Sequence, residues 1–272
     1  WDPAHNLVDN TAIEYDAANN LLIRHNLGNI TQLTPNWTRL VTKFHTDITT
    51  AKLYWYNNNI IQDGQNLFLD DFKLAKPVFT AYDSIGKLKK DGEWTFAALD
   101  GIVTGAIDYQ SFFVESPDRS AGILVESADF PLGVAPGPGD ILHLKGHVAQ
   151  STLYPGMLAL ATDDTPTLGT PVTPLGPLGT NLRTVSATVG GLPLDALFVK
   201  IWGTVANADV NTGTFTIDDG SGPISVATYL DTPFVNNGDY VAVTGNVVIS
   251  GGTRALFIQP YGSVQTIKSA GL

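Results

Sequence analysis

Four short blocks of sequence occur twice, in the same order. The first copy opens with Gly101-Ile102-Val103-Thr104 and continues with Ser111-Phe112-Phe113-Val114-Glu115-Ser116-Pro117-Asp118-Arg119 and Gly122-Ile123-Leu124-Val125. It closes with Pro138-Gly139-Asp140-Ile141-Leu142-His143-Leu144-Lys145-Gly146-His147-Val148. The second copy runs Gly203-Thr204-Val205, then Thr214 to Gly222, then Pro223-Ile224-Ser225-Val226. It closes with Asn237-Gly238-Asp239-Tyr240-Val241-Ala242-Val243-Thr244-Gly245-Asn246-Val247. Matched glycines lie about 100 residues apart, so one folding unit is present twice.

Each block has a physical reading. Gly101 and Gly203 permit a bend in a first strand. Phe113/Val114 and Phe215/Ile217 are apolar positions on a second strand. The Pro-Asp-Arg-Ser-Ala-Gly and Asp-Asp-Gly-Ser-Gly stretches are hairpin turns into a third. Gly-Asp starts a fourth, in which Leu142 and Leu144 alternate as Val241 and Val243 do, and Gly146 and Gly245 end or bulge it. A fifth follows near Met157–Leu160 and near Ala255–Ile258. Five strands in this order resemble an OB-fold, a partly open Greek-key barrel. Between the copies, Thr165 to Thr180 carries Pro166, Pro171, Pro174 and Pro177 and reads as a semi-rigid connector. Helical signals are few. Asp83-Ser84 caps a short helix over Ile85 to Lys90, stopped by Asp91-Gly92.

The N-terminal region has another pattern. Trp37 to Phe44, Ala51 to Tyr56 and Asn66 to Leu74 read as three strands. Their order resembles the closing strands of jelly-roll carbohydrate-binding modules, over about residues 20–75 only. The expected fold is therefore all-β: a partial jelly-roll or β-sandwich over 1–76, an OB-like barrel with its connector over 77–180, and a second barrel over 181–272. The sandwich is incomplete, or something else completes it.

Composition limits the functions open to such a chain. Cysteine is absent, which removes disulfides, thiol nucleophiles and thiolate metal sites. No apolar run approaches the length of a membrane span. The chain begins at Trp1 and reads as a processed product. Its net charge of −11 repels a phosphate backbone. The densest basic run, Lys87, Lys89 and Lys90, reads as a solvated helix face. Asn29-Ile30-Thr31 and Asn36-Trp37-Thr38 are sequons, so Asn29 and Asn36 are candidate glycosylation sites beside the reading as chance triplets.

No catalytic motif is present. Phosphate loops, Gly-x-Ser-x-Gly elbows and His-Glu-x-x-His helices are all lacking. Ser221 between glycines is a turn residue. His143 and His147 read as exposed residues at a strand end. The pairs Asp70-Asp71, Asp163-Asp164 and Asp218-Asp219 are adjacent on strands or turns, so neither member of a pair faces the other across a cleft. No cofactor is expected, except that the jelly-roll resemblance implies a calcium role for Asp70 or Asp71, whose oxygens suit that ion. Trp37, Tyr54, Trp55 and Tyr56 are candidate sugar-stacking residues if exposed and coplanar. Tyr54 and Tyr56 share one strand face. Phe112, Phe113 and Trp202 read as core or barrel-contact residues.

The whole resembles bacterial extracellular modular proteins with tandem OB-type modules beside a sandwich. That resemblance implies a secreted or cell-surface, non-enzymatic protein. The expected function is structural: self-assembly into a fibre or array as a homo-oligomer or polymer, through the open sheet edge of the sandwich. A carbohydrate-binding accessory protein is the alternative. Single-strand nucleic-acid binding ranks last, because the chain is acidic and its basic and aromatic residues do not interleave. No nucleic-acid partner is therefore expected.

Overall fold

A computed structural model gives the strands at residues 8–15, 21–30 and 52–58, and describes residues 78–126, 135–186, 194–228 and 235–271 in full. The chain divides into two compact units, 1–75 and 76–272. In the first unit β1 (Val8–Tyr15), β2 (Leu21–Ile30) and β3 (Lys52–Asn58) form an antiparallel sheet in the order β2-β1-β3. The strand expected over Ala51 to Tyr56 is β3, whereas β1 and β2 carry no clear strand pattern. Asp9, Asn10 and Glu14 in β1, and Arg24, Asn26 and Asn29 in β2, blunt the alternation that marks a strand. The expected strands at 37–44 and 66–74 lie outside the described residues.

The second unit holds two closed barrels. In the first, β4 (Thr80–Ala81) and α1 (Ile85–Asp91) precede β5 (Phe96–Ala106), β6 (Ser111–Glu115), β7 (Gly122–Glu126), β8 (Ile141–Gln150), β9 (Leu158–Thr162) and β10 (Thr167–Leu168). In the second, β11 (Leu178–Gly179) and α2 (Leu182–Ser186) precede β12 (Phe198–Asp209), β13 (Thr214–Asp218), β14 (Ile224–Thr228), β15 (Tyr240–Ser250), β16 (Thr253–Ile258) and β17 (Ser263–Lys268). The first ring runs β5-β6-β7-β9-β8 and closes because β8 also pairs with β5. The second runs β12-β13-β14-β16-β15 and closes through β12–β15. β7 is parallel to β9, and β14 to β16; the other ring pairs are antiparallel. This is the OB arrangement, twice.

The barrels close where the repeat demands it. A Cβ on Gly101 would lie 2.8 Å from the Val114 side chain, and one on Gly203 2.9 Å from the Asp218 backbone. Glycine is required at both bends for lack of space. Inward positions alternate as expected: Phe112 and Val114 in one core correspond to Phe215 and Ile217 in the other. Each helix closes one barrel by inserting two apolar residues a turn apart: Ile85 and Leu88, or Leu182 and Val185. Ser84 holds the N-cap position of α1, and Gly92, at φ 82, ends it.

The repeat is longer than the sequence reveals. It includes the two-residue strands β4 and β11, each parallel to its barrel's first long strand, and the outer strands β10 and β17. Trp94 and Ala196 are equivalent: both have positive φ (66 and 73), and both donate N–H to the fourth strand, at Val148 O (2.7 Å) and Val247 O (2.8 Å). Two-residue strands carry no periodicity, so sequence pattern could not show them. The connector follows the first barrel, with Gly169 N–H bonded to Ile141 O and Val172 N–H to Gly139 O.

The barrels are joined by a third apolar cluster. Phe113, Leu124, Met157 and Ala159 of the first meet Ala196, Val248, Ala255 and Phe257 of the second. Phe113 and Leu124 point out of their own barrel, and each is fully buried by the other barrel. Burying two such side chains contributes about 3–6 kcal/mol. Buried polar groups then fix the register. The Glu115 carboxylate accepts Phe198 N–H (2.6 Å) and Arg119 Nε–H (3.1 Å), and Arg119 also donates to Phe198 O (2.9 Å) and Gly176 O. Asn246 donates to Thr104 Oγ1 and Ala196 O, and Gln259 donates to Thr104 O.

Candidate functional site

The lysines expected on a solvated helix face divide. Lys89 turns inward and donates to Gly122 O (3.1 Å) in one barrel and Asp195 O (3.3 Å) in front of the other. Burial lowers its ammonium below the usual lysine range, against the opposing pull of Asp195. Arg254 is likewise occupied, with Asp195 at 2.7 Å and Val185 O at 3.4 Å. These cations, with Arg119, belong to the barrel–barrel seam. A ligand site must be sought among the others.

On the outer face of the second barrel the fold gathers residues distant in sequence. Along β12, Lys200, Trp202 and Thr204 alternate outward, while Val199, Ile201 and Val205 enter the core. Strand register then sets Trp202 opposite Ala242 and Thr204 opposite Tyr240 on β15. The next strand, β17, sets Gln265 opposite Ala242 and Lys268 opposite Tyr240. Trp202 is half-buried, Tyr240 is 39% exposed and Lys268 is exposed. The Lys200 ammonium lies 5.8 Å from the Trp202 ring centroid, within cation–π range. Trp202 was expected in a core or barrel contact. It stands outside because its neighbours on the strand, Ile201 and Gly203, take the inward and the tightly paired positions.

Carboxylates nearby are turned onto backbone. Asp218 accepts Gly220 and Gly222 N–H (2.7 and 3.1 Å). Asp239 accepts Asn236 and Ala270 N–H (2.9 and 2.8 Å), which hold its carboxyl below the usual range. Asp219 accepts Ser221 Oγ–H and Leu182 N–H, and its carboxyl is lowered by them. Ser221 is thus a turn residue, as expected. The face is two lysines and two aromatics on a rigid sheet, with hydroxyl and amide groups between.

The same outer face of the first barrel has different chemistry. β5, β8 and the residues after β9 set three side chains of β8 beside carboxylates: His143 Nδ1 lies 2.6 Å from Asp100, Lys145 Nζ 3.7 Å from Asp164 and His147 Nδ1 3.2 Å from Asp163. His143 is exposed as expected. His147 is 8% exposed, because Trp94 stacks on it (5.4 Å, 7°) and Phe96 leans against it. A cavity of about 210 Å³ opens at the second barrel's mouth beside Asp209, Phe215, Val235 and Asn237. Its charged group, Asp209, is held by Asn211 N–H.

Among the other candidates, Tyr54, Trp55 and Tyr56 lie on β3, opposite Ile13, Ala12 and Thr11 of β1. Asn29 lies on β2 opposite Asp9. Trp37, Asn36, Asp70 and Asp71 lie outside the described residues, so the sugar and calcium sites gain no geometry. Among the described residues no group of three metal-ligating side chains converges. No described helix is long and apolar enough to cross a membrane.

No protein-family model matches the chain, and no curated protein does. Solved structures do share its arrangement. A murine DNA-binding protein bound to double-stranded DNA is 13% identical, with 63% of this chain and 99% of that chain covered at a TM-score of 0.33. The Ifi202 HINa domain in complex with double-stranded DNA is 14% identical, covering 63% and 96% at 0.29. The p202 HIN1 domain with double-stranded DNA is 14% identical, covering 65% and 98% at 0.28. Against these structures, which are of proteins in complex with DNA, the expectations of a secreted, self-assembling structural protein and of no nucleic-acid partner are corrected. Net charge and sequence adjacency do not report which residues are neighbours on this face; the strand register does.

Proposed function

We propose that the chain is a non-catalytic nucleic-acid-binding protein whose contact surface is the β12–β15–β17 face of the second barrel. The observation that carries this is the register that interleaves Lys200, Trp202, Tyr240 and Lys268 on one rigid sheet. Bases stack on Trp202 and Tyr240, because every base has a π-face, and the two lysines meet phosphates. The first barrel supports this role by holding the second through a buried seam.

Fluorescence anisotropy with labelled single-stranded and duplex oligonucleotides tests the reading. Two phosphate contacts predict a slope of log K against log salt of roughly −1.4 for a single strand. Trp202→Ala is expected to weaken binding about tenfold, the loss of one stacked base. Failure of both nucleic acids to bind at micromolar protein refutes the proposal, as does binding indifferent to both Trp202→Ala and Lys200→Ala. Tighter binding of duplex would keep the face and discard the stacking.

A further inference from the structure

We infer that the cavity at the mouth of the second barrel is a base pocket, which takes one unstacked guanine from a single strand lying on the β12–β15–β17 face; this rests on the binding proposed for that face. The pocket continues the face. Thr204 lies opposite Tyr240, and the next residue, Val205, is tied to the loop before β15: its N–H bonds to Asp239 O and its O accepts Gly238 N–H, both at 2.8 Å. Beyond Val205 the register slips. Ala206 pairs with Thr216 and Asp209 with Thr214, so Asn207 and Ala208 together oppose Phe215. Asn207 takes a positive φ of 53 at this bulge. A bulge bends its strand and re-aims side chains. Here Ala208 packs against the core and Asp209 reaches the rim of the cavity.

Size and chemistry select the occupant. Ala208, Phe215 and Val235 give an apolar floor, with Asp209 and Asn237 exposed at the rim. Pockets for drug-sized ligands run to about 300–1,000 Å³, so about 210 Å³ admits a single ring system. Asn237 Oδ1 accepts Ala208 N–H (2.9 Å), which fixes the amide and leaves its Nδ2 donors for a ligand. Asp209 accepts Asn211 N–H (2.9 Å), which holds its carboxyl below the usual range. An ionised carboxylate accepts hydrogen bonds and repels phosphate. The ring of a nucleotide therefore enters, and its phosphate stays with the lysines. Guanine carries two adjacent donors, N1–H and N2–H, that match the two oxygens of a carboxylate, and beside them O6 accepts from an amide. Adenine and cytosine offer one donor group beside an acceptor, and thymine one imino donor between two carbonyls. In a duplex this edge is already paired, so the base comes from a single strand.

The test uses the full chain and two single strands of equal length, one all thymine and one with a single guanine stepped along it. At its best position the guanine should tighten binding about tenfold, the size of one bidentate base contact. Asp209→Asn keeps an acceptor for Asn211 N–H but sets an N–H2 where guanine needs an oxygen, and should remove most of that ratio. Trp202→Ala should weaken both strands together and leave the ratio. Equal binding of the two strands by the wild type, or a ratio that survives Asp209→Asn, overturns the pocket and leaves the sheet face standing. Adenine or cytosine as effective as guanine at the same position overturns the guanine assignment. A ratio removed by Asp209→Asn, in binding that ignores Trp202→Ala and Lys200→Ala, keeps the pocket and overturns the sheet face. No binding of either strand overturns both.

Discussion

Glu115 offers the sharpest test of how the two barrels are joined. Its side chain is wholly buried, and Arg119, 17% exposed, lies 3.1 Å away. Replacing Glu115 by Ala leaves Arg119 in the seam with only the Phe198 and Gly176 carbonyls, and strands the Phe198 N–H. Losing one partner of a buried ion pair costs about 3–5 kcal/mol. Arg119 keeps two acceptors, which favours the low end, and the stranded N–H adds about 1 kcal/mol. Glu115→Ala should therefore cost about 4 kcal/mol. Glu115→Gln should fall between wild type and Ala, because its one amide oxygen can accept from Phe198 N–H or from Arg119 Nε–H but not from both. Burial raises the Glu115 carboxyl above its usual range more than Phe198 N–H and Arg119 lower it. The raised value also fixes the sign with pH: this carboxyl's stabilisation is fully present below the unfolded-state value and is lost as pH rises through the folded one. The wild type should accordingly lose ground to Glu115→Gln as pH rises. Urea unfolding, followed by far-UV circular dichroism and tryptophan fluorescence, measures all three proteins. A Gln variant as damaged as Ala would refute the reasoning, and so would an Ala variant within about 1 kcal/mol of wild type.

Three further substitutions test the seam and the barrel closure. Phe113→Ala, which empties the joint, should cost about 3–5 kcal/mol, whereas Thr216→Ala at the equivalent outward position of the second barrel should stay within about 0.5 kcal/mol; thermal unfolding of both separates an interface residue from a surface one. Gly245→Ala should lower stability by roughly 2 kcal/mol in the same assay, because its Cβ would sit inside contact distance of the Phe257 carbonyl, a backbone atom in a paired strand.

Much of the barrel architecture was legible because it depends on local pattern. Gly101, Val114, Leu142 and Leu144 advertise a bent strand and an alternating core, and their repetition at Gly203, Ile217, Val241 and Val243 doubles the signal. The seam was partly legible: Phe113 follows Phe112, and two consecutive large apolar residues on a strand cannot both face one core. The candidate site was not legible. Lys200 and Trp202 are neighbours in sequence, but Tyr240 and Lys268 join them only through the β12–β15–β17 register. Lys89 misled for a related reason. Its spacing on the helix said surface, and only the second barrel's approach makes that surface interior.

The two copies diverge at the surfaces by which they meet. The barrels meet head to tail, by two different faces: β6–β7–β9 of the first against the Ala196–Asn246–Phe257 surface of the second. A repeat joined this way could in principle add a third barrel at either end, and such arrays need polar ends. The free counterpart of Phe113 and Leu124 is Thr216 and Ser225, and that of Glu115 is Asp218, which is taken up by its own turn. These side chains are polar where Phe113 and Leu124 are apolar. At the other end the counterpart of Ala196 is Trp94. The position needs a small residue, because the Gly122 backbone lies so close to Ala196 that even a Cβ on Gly122 would be 2.9 Å from it. An indole there, stacked on His147, blocks the approach. Both ends of the pair are closed to the contact that made it. Repeating the barrel–barrel seam at either surface is opposed by the same residues that distinguish the copies.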